Sequence, residues 1–292
     1  MAESVRSIRQ RLDSVKQTRQ ITNAMYLLSA SRYKRALAGM DYTLRYTESL
    51  RRTMRAILHV TKGAGLHDIY MEKSPLGGAL FMSVMGDKGL CGSYNSAVAQ
   101  LTLEKLRETP GASLMCFGQI GGEYFMRRGR QPDAIFPGSS MHPDMTLAED
   151  LAKSLIEAYI TDEVNEVYVI YTPYRRGARE PVCVRLLPLL QHDFTDMEPT
   201  EDLPEEMLYE PSAEEVFEHI VPQYCAGMLY HFLAQSAACE NAARMDAMQS
   251  ATNNADEMIH ALQARLNAVR QTTITNEITE IAAASTLRKK GI

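Results

Sequence analysis

The sequence predicts an α/β fold with long helices: an antiparallel coiled coil of the N- and C-terminal helices plus a central α/β, Rossmann-like layer domain. Three observations predict it. First, all twelve prolines lie between Pro75 and Pro222, and fifteen of the seventeen glycines lie between Gly63 and Gly227. Proline removes a backbone donor and glycine costs about 1 kcal/mol in a helix interior, so the ends can be continuous helix and the middle cannot. Second, Met245, Met248, Thr252, Ala255, Ile259, Leu262, Leu266 and Val269 alternate three- and four-residue steps, the spacing of a coiled-coil seam. Third, the middle alternates strand-like and helix-like segments, the signature of a layered α/β unit.

At the N-terminus the seam is less regular. Ile8, Leu12 and Val15 form one short stripe, Ile21, Met25 and Leu28 a second, and Met40, Leu44, Thr47, Met54 and Leu58 a third. A helix over 3–60 would be about 85 Å long and one over 212–286 about 110 Å. Helices of that length need a partner for their apolar stripe, and the other end of the same chain is the simplest one. The predicted organisation is therefore a shaft from residues 1–62 and 212–292 and a central domain over 63–211, ending in an acidic loop at 193–211.

Within the middle, Ala79–Met85 reads as a buried strand, Ser93–Arg107 as a helix, Ser113–Phe117 as a strand and Gly121–Arg128 as a helix. Leu147–Ile160 reads as another helix, Glu166–Tyr171 as a strand, and Pro181–Leu187 as a strand that pairs with it, giving a partly parallel sheet.

Charge is unevenly distributed around a net of −5: residues 1–40 carry eight Lys/Arg against two Asp/Glu, and residues 193–218 carry eleven Asp/Glu and no Lys or Arg. Such blocks are usually solvated faces. The five cysteines form no CxxC and do not group with histidines at metal-ligand spacing, so they read as buried free thiols, and no metal site is expected. No stretch reaches the roughly 18 apolar residues needed to span a bilayer, and the charged N-terminal segment does not resemble a signal peptide.

Few motifs suggest chemistry. The turn Gly86-Asp87-Lys88-Gly89-Leu90-Cys91-Gly92-Ser93 follows a strand and opens a helix, where phosphates often bind, but it lacks both GxGxxG spacing and GK[ST]. It reads as a tight strand-to-helix turn. Cys91 has no His–Asp arrangement near it that would make it a nucleophile, and Asp144, Glu149 and Asp150 suit a helix start. The methionines of the last helix read as packing residues. Arg270-Gln271-Thr272-Thr273 interrupts the seam before Ile274, Ile278 and Ile281 resume it. From the residues alone, Arg270 and Gln271 are equally a solvated face or a grip on another protein.

Three regions resemble the gamma subunit of F-type ATP synthases, in order and over the full length. They are Ile8-Arg9 through Ala36, including Ile21-Thr22-Asn23-Ala24-Met25; the glycine turn through Asn95; and a C-terminal set. That set comprises Tyr209-Glu210-Pro211-Ser212, Ala242 to Met248, Ala251 to Ala255, and Ala268 to Ile281 with Arg270-Gln271, Ile274-Thr275 and Glu277-Ile278-Thr279-Glu280-Ile281. The turn departs from the family pattern at Lys88, where arginine is usual, and at Ser93-Tyr94, where Gly-Leu is usual. The regulatory cysteine insert of the chloroplast form has no counterpart.

The resemblance implies a central-stalk rotor subunit with no active site and no cofactor. It implies that the terminal helices turn inside a ring of alpha and beta subunits, above the epsilon subunit and a membrane rotor ring of c subunits. One copy per complex is implied, with no nucleic acid and no direct bilayer insertion, at the cytoplasmic face of a bacterial cell membrane. By match, Arg270, Gln271, Thr275 and Glu277 form a polar catch for a catalytic-subunit loop. Met25, Arg32, Lys34 and Arg35 fall in the region swept by acidic levers of the catalytic subunits. Tyr209 and Glu210 form the foot on the rotor ring, and Ile278, Ile281 and Leu287 an apolar axle tip. The competing readings are a small nucleotide-binding α/β enzyme with helical oligomerisation arms and a free-standing coiled-coil scaffold.

Overall fold

The computed structural model describes residues 4–60, 70–71, 77–138, 144–161, 163–175, 179–190, 210 and 212–289, and within these the side chains of 41–42, 59–60, 213–214 and 283–289 are left aside. Two very long helices open and close the chain: α1, Val5–Val60, and α5, Ala213–Lys289. Between them run β1 (Gly78–Val84), α2 (Tyr94–Glu108), β2 (Ser113–Phe117), α3 (Gln119–Met126), β3 (Ala134–Phe136), α4 (Met145–Ile160), β4 (Val164–Tyr171) and β5 (Val182–Leu187). Every predicted helix and strand is present within a few residues. The three-residue β3 is an addition, because Ala134-Ile135-Phe136 is too short to show a period.

The strands form one sheet in the order β3-β2-β1-β4-β5, parallel except for the antiparallel pair β4–β5. Side chains alternate across it. Leu80, Met82, Val84, Val167 and Val169 face a core shared with α4, the end of α1 (Met54, Ile57) and the start of α5 (Phe217, Val221, Leu229). Phe81, Leu114, Cys116 and Ile170 face the opposite core, closed by Val98 and Ala99 of α2 and Phe125 of α3. A sheet covered on both faces explains why β1 reads as an apolar run broken only by Ser83. All five cysteines are free; four are buried and Cys183 is half-buried.

The chain forms two compact units, one of Met1–Leu28 with Met245–Ile292 and one of Ser29–Arg244, so both long helices contribute to both. In the second unit the sheet and its helices pack with Ser29–Val60 of α1 and the first part of α5. α5 continues through Pro222. Gly227, one turn beyond, admits a close approach of α1: a Cβ there would lie 2.8 Å from Leu50 Cδ1 and 2.9 Å from Tyr46 Cε1.

In the first unit α1 and α5 pair antiparallel. Ile8 and Leu12 pack with Leu262, flanked by Val15, Ile259, Leu266 and Val269. The C-terminal seam is thus the one the spacing predicts: Met248, Thr252, Ala255 and Leu262 are buried, and Met245, Ile259, Leu266 and Val269 half-buried. Met258 lies off the seam and is exposed, contrary to a packing role for every methionine.

The N-terminal stripes need two corrections. Ile21 and Leu28 are 61% and 50% exposed, and the seam passes instead through Arg19, Thr22 and Ser29. Leu44 is exposed, and Thr43 is buried beside Thr47. In both places the three-four spacing carried on from Ile8, Leu12 and Val15, but through polar residues, so hydrophobicity alone selected the wrong face.

Candidate functional site

The far end of α5 is the site with least structural employment. Thr22 meets Thr252 through their hydroxyls at 2.8 Å, and Arg19 Nε meets Asp256 Oδ1 at 2.5 Å, an exposed pair whose hydrogen bond raises the arginine's pKa. Ile8 and Leu12 then meet Leu262. Continuing that antiparallel register places Arg270 opposite Ser4, immediately before α1 begins at Val5. The polar interruption seen in the sequence therefore falls where the partner helix runs out. From Arg270 to Ala282 every side chain is exposed while the backbone remains helical.

On that stretch Arg270, Ile274, Glu277 and Ile281 share one stripe, and Gln271, Thr275 and Ile278 share the next, by the steps of three and four that align helix positions. Ile274, Ile278 and Ile281 are 43%, 61% and 70% exposed. Four threonines bond back to the helix's own carbonyls: Thr272 to Ala268 at 3.1 Å, Thr273 to Val269 at 3.0 Å, Thr275 to Gln271 at 2.9 Å and Thr279 to Thr275 at 2.7 Å. Their protons are spent, so the hydroxyl oxygens face outward as acceptors beside a guanidinium, an amide and a carboxylate. Leu287 belongs to α5, but its side chain lies outside the described residues.

The other matched residues do not join this stretch. Met25 and Arg32 are half-buried on α1 and already engaged, whereas Lys34 and Arg35 are exposed. Glu210 is exposed just ahead of α5, and Tyr209, with the acidic loop before it, lies outside the described residues.

A second polar centre went unrecognised in the sequence. The glycine turn between β1 and α2 is held by α5: Arg244 donates to Lys88 O at 3.2 Å and Gly89 O at 3.3 Å, and pairs with Glu240 at 2.5 Å. Both partners are almost wholly buried, at 5% and 0% exposure. Glu240 lies against Gly86, where an added Cβ would be 2.8 Å from Oε1. The Gly86 N–H donates to Asn95 Oδ1 at 2.8 Å, Asn95 Nδ2 donates to Cys91 Sγ at 3.1 Å, and Asp87 Oδ1 accepts from the Gln119 N–H at 3.0 Å. Burial, then Glu240, pushes the Cys91 thiol up, and burial holds Tyr94 well above the usual phenol range. The turn's polar groups are thus engaged in packing against the long helix. The signal available in the sequence was the i, i+4 pair Glu240–Arg244 inside an otherwise small and apolar run.

Among the described residues no group of three or more His, Cys, Asp or Glu is placed to hold a metal ion, and no helix is long and apolar enough to cross a membrane.

Known proteins give the same answer throughout the chain. The family model for ATP synthase matches residues 4–286. The ATP synthase gamma chain of Caldanaerobacter subterraneus subsp. tengcongensis is 35% identical over 97% of this chain and 99% of its own. That of Ruminiclostridium cellulolyticum is 36% identical over 98% and 99%, and the sodium ion specific gamma chain of Acetobacterium woodii is 31% identical over 98% and 99%. In fold, the chain is similar to one in the Euglena gracilis mitochondrial ATP synthase, with a TM-score of 0.71 at 17% identity over 98% of this chain and 95% of that one. It is also similar to a chain in the central stalk and c-ring structure of the Tetrahymena thermophila mitochondrial enzyme, with a TM-score of 0.60 at 20% identity over 79% and 99%. By family model and by relatives alike, the chain belongs to the ATP synthase gamma chain family.

Proposed function

We propose that this chain, a non-catalytic central-stalk subunit of an ATP synthase by family, transmits torque to the catalytic head through the exposed length of α5 from Arg270 onward. The observation that carries this reading is the continuation of the helix past its partner with three isoleucines and a cluster of polar groups all in solvent. An isolated amphipathic helix in water has no reason to keep such a stripe. It supports a surface that is covered by other subunits.

In this reading Arg270, Gln271, Thr275 and Glu277 grip a catalytic-subunit loop, and Ile278, Ile281 and Leu287 turn in an apolar collar. Lys34 and Arg35, with Met25 and Arg32 on the same helix, meet the acidic levers. Tyr209 and Glu210 rest on the c-subunit ring. The shaft is 1–62 with 212–292, and the domain over 63–211 sits with the epsilon subunit. One copy serves each complex, peripherally, at the cytoplasmic face of a bacterial membrane. Each orientation of an asymmetric shaft makes different contacts with otherwise identical catalytic subunits, which shifts their conformational populations without any chemistry by the shaft itself. The test is the double substitution Arg270→Ala with Gln271→Ala in the assembled complex. Loss of assembly or of ATP turnover is expected, and wild-type turnover would refute the grip.

A further inference from the structure

Within the unit formed by Ser29–Arg244, one chain of hydrogen bonds has a direction fixed by chemistry, and it involves none of the residues assigned to subunit contacts above. The Tyr174 N–H, which can only donate, is 2.8 Å from Gln235 Oε1. That orients the amide, so Gln235 Nε2 faces His231 Nε2. An amide nitrogen has only protons to give, which requires a bare lone pair on the ring nitrogen. On the other side of the ring, Thr43 Oγ1 lies 3.3 Å from His231 Nδ1. The threonine's own proton goes to Met40 O at 2.8 Å, so its oxygen accepts and Nδ1 carries the ring proton. All these bonds coexist only when His231 is neutral and in its Nδ1–H form. A proton on Nε2 would meet the amide donor to donor. Turning the amide to offer its oxygen would take the acceptor from Tyr174. One bond is lost either way.

We propose that Thr43, His231 and Gln235 form a proton-sensitive latch, closed with the ring neutral, that ties both long helices to the segment after β4 and loosens when Nε2 is protonated. The charged and titratable groups on the surrounding elements do not favour an imidazolium. On α1 the Tyr33 phenol is bonded to the Tyr174 phenol at 2.7 Å and is raised to about 12, first by that bond, so it stays neutral. The segment after β4 adds the cations Arg175 and Arg179. On α5, Glu240 is held by Arg244, and on α4 Glu149, Lys153 and Glu157 line a groove with Tyr46 and Ala226. Burial is what lowers the pKa of His231 from its ordinary 6.5. The folded chain therefore binds fewer protons here than the unfolded one. The latch contributes fully above pH 6.5 and is lost as pH falls from there through the folded pKa.

The test uses the full-length chain with histidine side chains labelled with 15N, His231 being assigned by comparison with His231→Asn. At pH 8 the expected result is the Nδ1–H tautomer for His231, with titration below 6.5. Exchange of the Tyr174 amide proton, corrected for its intrinsic pH dependence, is expected to quicken about tenfold as the ring titrates. An Nε2–H tautomer at pH 8, or corrected Tyr174 exchange that ignores the titration, would overturn the latch, and the exchange measurement needs no variant to fold. Gln235→Glu supplies an acceptor for a charged ring and is expected to lift the His231 pKa above 6.5; a value as low as the wild type would count against it.

Discussion

Glu240 and Arg244 sit one turn apart on α5 with both side chains out of water and with the carbonyls of Lys88 and Gly89 within reach of the guanidinium. Two buried charges are costly unless each has the other, and removing one strands its partner. Arg244→Ala is expected to cost about 3–5 kcal/mol, measured as a shift in the denaturant midpoint of the full chain. The thiols give a pH-dependent counterpart. Burial pushes Cys225 and Cys116 up to about 12, from an ordinary 9.0. Each is thus protonated in the folded chain where the unfolded chain would ionise, so its contribution is complete below pH 9 and declines as pH rises towards 12. Alkylation at pH 8 is expected to reach Cys183, the half-buried one, first, and to spare Cys225 until the chain unfolds, as followed by peptide mass. In the sequence these thiols were legible as buried, because they stand mostly in apolar or helical contexts, and four of the five are; Cys183 is half-buried. The Glu240–Arg244 pair was not, because an i, i+4 acid–base pair is ordinarily a solvated ornament of a helix, and only the approach of the glycine turn takes it out of water.

Among the elements, the two long helices were predictable from what they lack. Breakers are confined to the middle, and a three-four seam needs no tertiary information to be seen. The facing seam on α1 was harder to read, since Arg19, Thr22, Ser29 and Thr43 occupy positions where apolar residues were sought, and Ile21, Leu28 and Leu44 took their place in the reading. Polar pairs such as Thr22–Thr252 fix register without advertising themselves by hydropathy. The strands were legible because a sheet covered on both faces demands short, continuous apolar runs, and β3 escaped because three residues carry no pattern. The end of the coil gives a paired prediction. Ile8→Ala empties a site with 0% exposure and is expected to cost about 2–5 kcal/mol. Ile278→Ala, at 61% exposure, is expected to stay within about 0.5 kcal/mol in the isolated chain and to matter only once other subunits are present. Thermal unfolding of the two variants beside the parent chain checks both.

For the whole molecule, the chain is by family a non-catalytic central-stalk subunit. Its family, its continuous α5 and the solvent-exposed stretch after Val269 all point to work done through contact. The polar interruption at Arg270-Gln271 was visible in the sequence, but its reason was not: only the register with α1 reveals that the partner helix stops there. We propose that this subunit rotates in step with the catalytic cycle. Its most direct measurement is the rotation of a probe attached to this chain in the surface-fixed catalytic head while ATP is hydrolysed. Stepwise, unidirectional turning whose rate follows ATP turnover is expected, and turnover at full rate with the probe stationary would refute the rotation.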